Sequence, residues 1–179
     1  MNGLLSLYTR AAGLADRQAD WLLPTAARLV FAGVLFGYFW ASAGTKLDGV
    51  FTPSLGSYAQ IYPKAFEAAG YDVSQMGLWH RLVVLAGAWA EYILPALIVL
   101  GLITRLAALG MVGFVALQSL TDIYGHGIAA GAWFDRASDA LILDQRAFWM
   151  LLFLVLILKG AGPLSADRLL KQANFRLAA

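Results

Sequence analysis

Residues 82–104 read LVVLAGAWAEYILPALIVLGLIT, twenty-three positions between Arg81 and Arg105 whose only charge is Glu91. At 1.5 Å per residue such a helix is about 35 Å long, enough to cross a hydrocarbon core of about 30 Å. The segment is apolar on nearly every face, which suits a helix in lipid rather than an amphipathic helix on a soluble core. Backbone groups in lipid must be satisfied within the segment, so a helix is the economical structure.

Three more apolar stretches flank it. Seventeen uncharged residues lie between Arg28 and Lys46, sixteen between Arg105 and Asp122, and twelve between Arg146 and Lys159. The last reaches spanning length when the helix begins near Ala140, with Asp144 and Arg146 at the headgroups or facing the bundle and Lys159 snorkelling at the other end. These stretches predict spans near 25–45, 80–103, 106–123 and 140–160, in an all-α integral membrane protein built as a four-helix transmembrane bundle. The ten-residue alternating segments of a β-barrel are absent. Composition agrees. The 179 residues are 60% hydrophobic and 13% charged, with a mean hydropathy of +0.68, whereas a soluble domain carries roughly 25% charged residues. A soluble enzyme domain and a disordered linker are both excluded. The 13 basic residues form no stripe, so nucleic acid is not an expected partner. With no cysteine in the chain, disulfides, thiolate catalysis and iron–sulfur ligation are excluded as well.

The N-terminal residues do not read as a signal peptide, since Arg10, Asp16, Arg17 and Asp20 interrupt any apolar run. Residues 1–23 are expected to form an interfacial tail, with Leu4, Leu7, Tyr8, Ala11 and Ala15 at helical spacing. Residues 24–162 form the membrane domain, and 163–179 a second tail that starts a helix near Ser165. One side of the bundle carries eight Lys and Arg residues (the two tails and the Thr104–Arg105 turn), the other five basic and seven acidic residues. The positive-inside rule then places both termini in the cytoplasm and the long loops 46–79 and 123–140 outside.

Glu91 is the most informative residue. An ionisable group near mid-bilayer is costly, faces the bundle interior and is a functional candidate by default. Pro95, lacking an N–H, leaves the Glu91 carbonyl without its helical partner. Interhelical hydrogen bonding is the plainer role for the side chain, and both roles stay open here. The first span offers Tyr38, Ser42, Thr45 and Lys46 on one face, with Tyr38 and Lys46 reaching toward Glu91 from above. Lys46, nearer the surface, is expected to stay hydrated. Gly33 and Gly37 form a GxxxG, which signals close packing. His80 opens the second span three turns before Glu91 on the same side, and His126 follows the third. With Met76 they form an alternative copper set, against the plainer reading of two interfacial histidines. Residues 125–131 are glycine-rich but miss GxGxxG and follow a helix, so no nucleotide site is expected.

Three separated motifs resemble the DoxX family of small bacterial membrane proteins. They are Phe39-Trp40-Ala41-Ser42-Ala43-Gly44-Thr45-Lys46-Leu47 at the end of the first span, Leu100-Gly101-Leu102-Ile103-Thr104-Arg105-Leu106-Ala107-Ala108-Leu109 at the second turn, and Gly160-Ala161-Gly162-Pro163-Leu164-Ser165-Ala166-Asp167-Arg168-Leu169-Leu170 after the fourth span. The resemblance covers about residues 25–170. The N-tail and the long outer loop extend beyond the compact family pattern. The resemblance implies a multi-pass protein of the bacterial inner membrane. Some members are linked to thiosulfate:quinone oxidoreduction, others to membrane-associated oxidoreductase complexes or detoxification.

The expectation is therefore a quinone-linked membrane subunit of an oxidoreductase system. Its catalytic residues would be Glu91 and Lys46, and its quinone-binding residues Tyr38, Ser42, His80 and Arg81, with Glu91 passing a proton toward His80. No cofactor is expected within the chain itself, so redox subunits or further copies of the chain are the expected partners beside the lipid bilayer. The alternatives are a non-enzymatic accessory subunit and a small-solute or copper-handling membrane protein.

Overall fold

The computed structural model describes residues 2–177, and side chains for 3–172. Residues 178–179 of the expected C-terminal tail lie outside the described residues. The first span is one continuous helical run. Helix α1 (Asn2–Phe31) passes through a π-helical turn (Ala32–Phe36) into α2 (Gly37–Gly44). The chain then forms a short hairpin, β1 (Leu47–Gly49) and β2 (Thr52–Pro53), followed by helices α3 (Leu55–Ile61) and α4 (Pro63–Ala68). The second span is α5 (Leu78–Leu100). The third is α6 (Thr104–Leu120) with a π-helical end (Thr121–Gly125). The fourth begins with a π turn (Leu141–Gln145) and continues as α7 (Arg146–Lys159), and α8 (Ala166–Leu177) follows it.

Four helical runs are long and apolar enough to cross a membrane, and only 22–28% of each hydrophobic window is buried inside the bundle. Most of the apolar surface therefore points outward, the arrangement a lipid solvent favours. Helix α1 crosses residue 23, the expected end of the N-tail, without a break. Pro24 sits inside the helix, yet the run from Gly3 to Gly44 stays helical over 42 residues. At about 63 Å it is roughly twice the hydrocarbon thickness, so its N-terminal half projects beyond the bundle with Leu4, Leu5, Leu7 and Tyr8 exposed.

The spans form a ring in which α1–α2 adjoins α5, α5 adjoins α6, α6 adjoins α7, and α7 returns to α1. The half nearer the Gly101–Thr104 turn, called the inner half here for its place in the bundle alone, is close-packed. Phe31, Phe39, Ile98, Met111, Phe153 and Leu156 are all fully buried there, with Phe31 meeting Phe153 edge-on at 5.9 Å. The small residues Ala107 and Ala108 let α6 approach closely.

Two of the motifs meet at the inner end. Arg28 donates to the carbonyls of Ile98 (2.9 Å), Val99 (2.5 Å), Ala161 (3.0 Å) and Leu164 (2.5 Å). Asp167 accepts from the backbone N–H groups of Ile103 (2.7 Å) and Thr104 (3.0 Å), capping α6 from α8. Its own N–H donates to the Gly101 carbonyl at 2.8 Å. Orphan groups at two helix ends are satisfied at once. Gly101 has φ +68°, and a Cβ there would lie 2.6 Å from Ser165 and 2.8 Å from Arg28, so the turn requires glycine.

The outer loop is folded. The α3–α4 segment packs Tyr58 and Phe66 onto Val84 of α5, and the hairpin is tied to α5 by Trp89 Nε1 donating to the Val50 carbonyl at 3.0 Å.

Candidate functional site

Helix α2 ends at Gly44, well short of the outer end of α5. The Lys46 N–H closes the last turn on the Ala43 carbonyl at 3.0 Å, and the Lys46 carbonyl receives the Ser54 N–H at 2.9 Å. The chain is thereby turned beside the middle of α5. Lys46 is withdrawn from the protein surface in this position, contrary to the expectation for an interface anchor. It is 6% exposed, and Glu91 is 2% exposed. Lys46 Nζ donates to Glu91 Oε2 at 2.8 Å and Oε1 at 3.0 Å, to Ser42 Oγ at 2.6 Å, and at longer range to the Ser42 carbonyl at 3.3 Å. Ser42 Oγ donates in turn to Glu91 Oε1 at 3.2 Å. A buried charge is tolerated only with a partner and full hydrogen bonding, and this triad provides both.

Glu91, Lys46 and Ser42 form part of the wall of a cavity of about 620 Å³ between α2, α5 and α6. Val83, Ala86, Gly87, Ala90 and Leu94 of α5 and Gly110, Gly113, Phe114 and Leu117 of α6 supply largely apolar walls. The two helices touch closely near the inner turn, where Gly110 lies against Leu94. Beyond that contact the space between them is lined by small residues. Tyr38 also lines the cavity, and its hydroxyl accepts from Gln118 Nε2 at 3.0 Å across the bundle. Asp122, Thr121, His126 and Gln60 border its outer end. His126 Nε2 donates to the Gln60 carbonyl at 2.9 Å, joining the end of the third span to α3.

A second ion pair, with Arg146 buried and Asp122 half-buried, stands beside this space. Arg146 donates to Asp122 Oδ2 at 2.5 Å and to Ser119 Oγ at 2.8 Å, and stacks over Trp149 at 5.9 Å. Both members adjoin a π-helical turn, Asp122 within one and Arg146 directly after the other. Such turns re-aim side chains and are frequent at functional sites.

The structure brings four of the expected site residues together, namely Glu91, Lys46, Ser42 and Tyr38. It does not bring in the other two. Arg81 is exposed and donates to the Phe51 carbonyl of the hairpin at 3.1 Å. His80 packs edge-on against Tyr62 at 4.7 Å and does not line the cavity. The helical repeat put His80 on the same side as Glu91, but the folded loop covers that position. The alternative copper set is scattered: Met76 packs with the Tyr58–Phe66 cluster, His80 with Tyr62, and His126 with Gln60. Gln60, Gln118, Asp122 and His126 were not foreseen as cavity residues. Gln118 and Asp122, four apart on one face of the third span, carried the only local signal.

These features define a four-helix membrane protein with a polar site buried in its outer half. The DoxX family pattern matches residues 23–121, more than half of the chain, and the chain belongs to the DoxX family. No curated protein and no solved structure matches it.

Proposed function

We propose that the cavity binds a quinone and that the protein serves as a quinone-linked membrane subunit of an oxidoreductase system. One observation carries this reading: a mostly apolar cavity, formed by membrane-spanning helices, holds a fully hydrogen-bonded Lys46–Glu91 pair in its wall. Ligand sites of about 300–1,000 Å³ with apolar walls and a few convergent polar groups are the common form of small-molecule site, often between the helices of a bundle. A ring with carbonyl oxygens matches those polar groups. The longest of the four Lys46 contacts is to the Ser42 carbonyl, at 3.3 Å. A quinone carbonyl exchanges for it at little cost, while Glu91 holds the ammonium in place. The Tyr38 hydroxyl, one helical turn further in, offers a second polar contact. Electrons come from a partner redox subunit, in keeping with a chain that carries no thiolate ligands.

The test uses a soluble short-chain quinone and quenching of tryptophan fluorescence in the purified protein. Lys46→Met with Glu91→Gln removes both charges and leaves neither buried alone, so the double variant is expected to fold. It should bind the quinone on the order of tenfold more weakly, the loss of one charged hydrogen bond. Equal affinity in the folded double variant overturns the assignment of the site. Absence of quinone binding by the unaltered protein overturns the function, and leaves the accessory-subunit alternative.

A further inference from the structure

We infer that the Lys46–Glu91 pair communicates with the outer compartment alone, through a polar mouth built by Asp122, His126 and Gln60. "Outer" here means the side opposite the Gly101–Thr104 turn.

The argument begins with an asymmetry. Every residue bordering the cavity belongs to the middle or the outer part of its helix, or to the outer cap. None comes from the inner turn, from the start of α6 or from the end of α7. On the inner side of the pair lies the solid layer of Phe31, Phe39, Ile98, Met111, Phe153 and Leu156, each at 0% exposure. Close-packed apolar side chains leave no room for a chain of waters. Below that layer, the Arg28 knot ties the second turn to the chain after the fourth span. A proton or a water would have to cross two structural barriers to reach the inner side.

The outward direction differs in chemistry. Four polar side chains, Gln60, Thr121, Asp122 and His126, border the same continuous space as Lys46 and Glu91. Waters occupy polar spaces that offer them two to four partners, and this end supplies them. Arg146 holds one Asp122 oxygen from behind, which fixes the carboxylate at the rim. The His126–Gln60 bond closes the cap over the end of the third span at a single hydrogen bond. The mouth is therefore polar, with the exposed His126 at its rim.

The native chain contains no cysteine, so single introduced thiols report access directly. Gly87→Cys and Ala90→Cys place a thiol on the cavity wall beside Glu91, and a Cβ at position 87 would meet only Ile61 Cδ1, at 3.7 Å. Leu106→Cys, exposed just past the inner turn, marks the opposite side. The probe is a small, membrane-impermeant cationic methanethiosulfonate applied to right-side-out and inverted vesicles. Thiols at 87 and 90 should react at least about tenfold faster from the side on which Leu106→Cys is protected, as thiol reactivity follows access. Adding His126→Trp should slow labelling at position 90 without changing that at Leu106→Cys. Faster reaction from the Leu106 side overturns the inference, as does protection from both sides when the denatured protein labels fully. An unchanged rate in His126→Trp overturns the placing of the mouth. No ligand takes part in the labelling, so its outcome and that of the quinone-binding test are independent.

Discussion

The inner end of the bundle and its outer half both withdraw charged side chains from solvent, Arg28 and Asp167 in part and Lys46 and Glu91 almost wholly, yet they use them differently. At the inner end Arg28 donates to four backbone carbonyls, and Asp167 accepts from two backbone N–H groups with Lys171 as a nearby charge. These are groups that any helix end or turn leaves unsatisfied, and nothing there borders the cavity. In the outer half Lys46 and Glu91 face each other, and Asp122 faces Arg146, around a space large enough for a small molecule. The inner charges complete the backbone of the fold. The outer charges satisfy one another and cost desolvation that apolar side chains would avoid. A pair of that kind is weak evidence for stability, which agrees with the role proposed for it in the cavity.

That contrast breaks most visibly at Lys46. Lys46→Met leaves the Glu91 carboxylate buried without its partner, and stability should fall by about 3–5 kcal/mol. Removing both charges, with Lys46→Met and Glu91→Leu together, should recover most of the loss or exceed the original stability, because the pair is replaced by apolar packing. Thermal unfolding in detergent measures both variants. A double variant as unstable as the single one would show that the outer pair holds the fold together as the inner charges do.

The next effect belongs to the inner turn. Gly101→Ala forces a Cβ against Ser165 and Arg28 at a φ of +68°, and should cost on the order of 3 kcal/mol through strain and displacement of the Arg28 guanidinium. No compensating substitution of a single partner should restore it, because Arg28 serves four carbonyls at once. Quinone affinity in the protein that still folds should be unchanged, which a fluorescence titration checks. Altered affinity would mean that the two regions are coupled.

The smallest effect is at Asp167. Burial alone would raise its pKa, but hydrogen bonds from Thr104 and Ile103 and the nearby charge of Lys171 outweigh it and leave the carboxyl below its ordinary value. A depressed value means that the ionised form stabilises the folded state above the unfolded pKa, and that this contribution fades as pH falls through the folded one. Asp167→Ala should lower stability at neutral pH by about 1 kcal/mol, the usual worth of a helix cap. The difference from the unaltered protein should shrink as pH falls below the ordinary aspartate value of about 3.9 and vanish only below the lowered folded-state value. A difference that persists there would assign the effect to packing instead.

The four spans were legible because lipid imposes a simple code: long uncharged runs between charged residues must be helices. Glu91 stood out for the same reason, as the lone charge in residues 82–104. Its partner did not. Lys46 follows a helix end, and such lysines ordinarily snorkel to water. Only the folded hairpin and the α3–α4 cap, which turn the chain beside the middle of α5, bury it. Helical phase placed His80 with Glu91, because a repeat reports direction around one helix and not what a neighbouring loop covers. The loop covers His80 with Tyr62 and brings Gln60 to the cavity instead, and the end of the third span brings His126.

By itself, then, the sequence determined the solvent this protein folds in, the number of its spans and the one charge that had to be answered inside the membrane. Each of these follows from transfer energies that act residue by residue. Tertiary structure alone decided which charge answers Glu91, which end of the bundle is solid and which is hollow, and which side chains border the hollow. Those outcomes depend on where helices end relative to one another. That is set by contacts between segments far apart in the chain, such as Lys46 with Glu91 and Arg28 with Leu164.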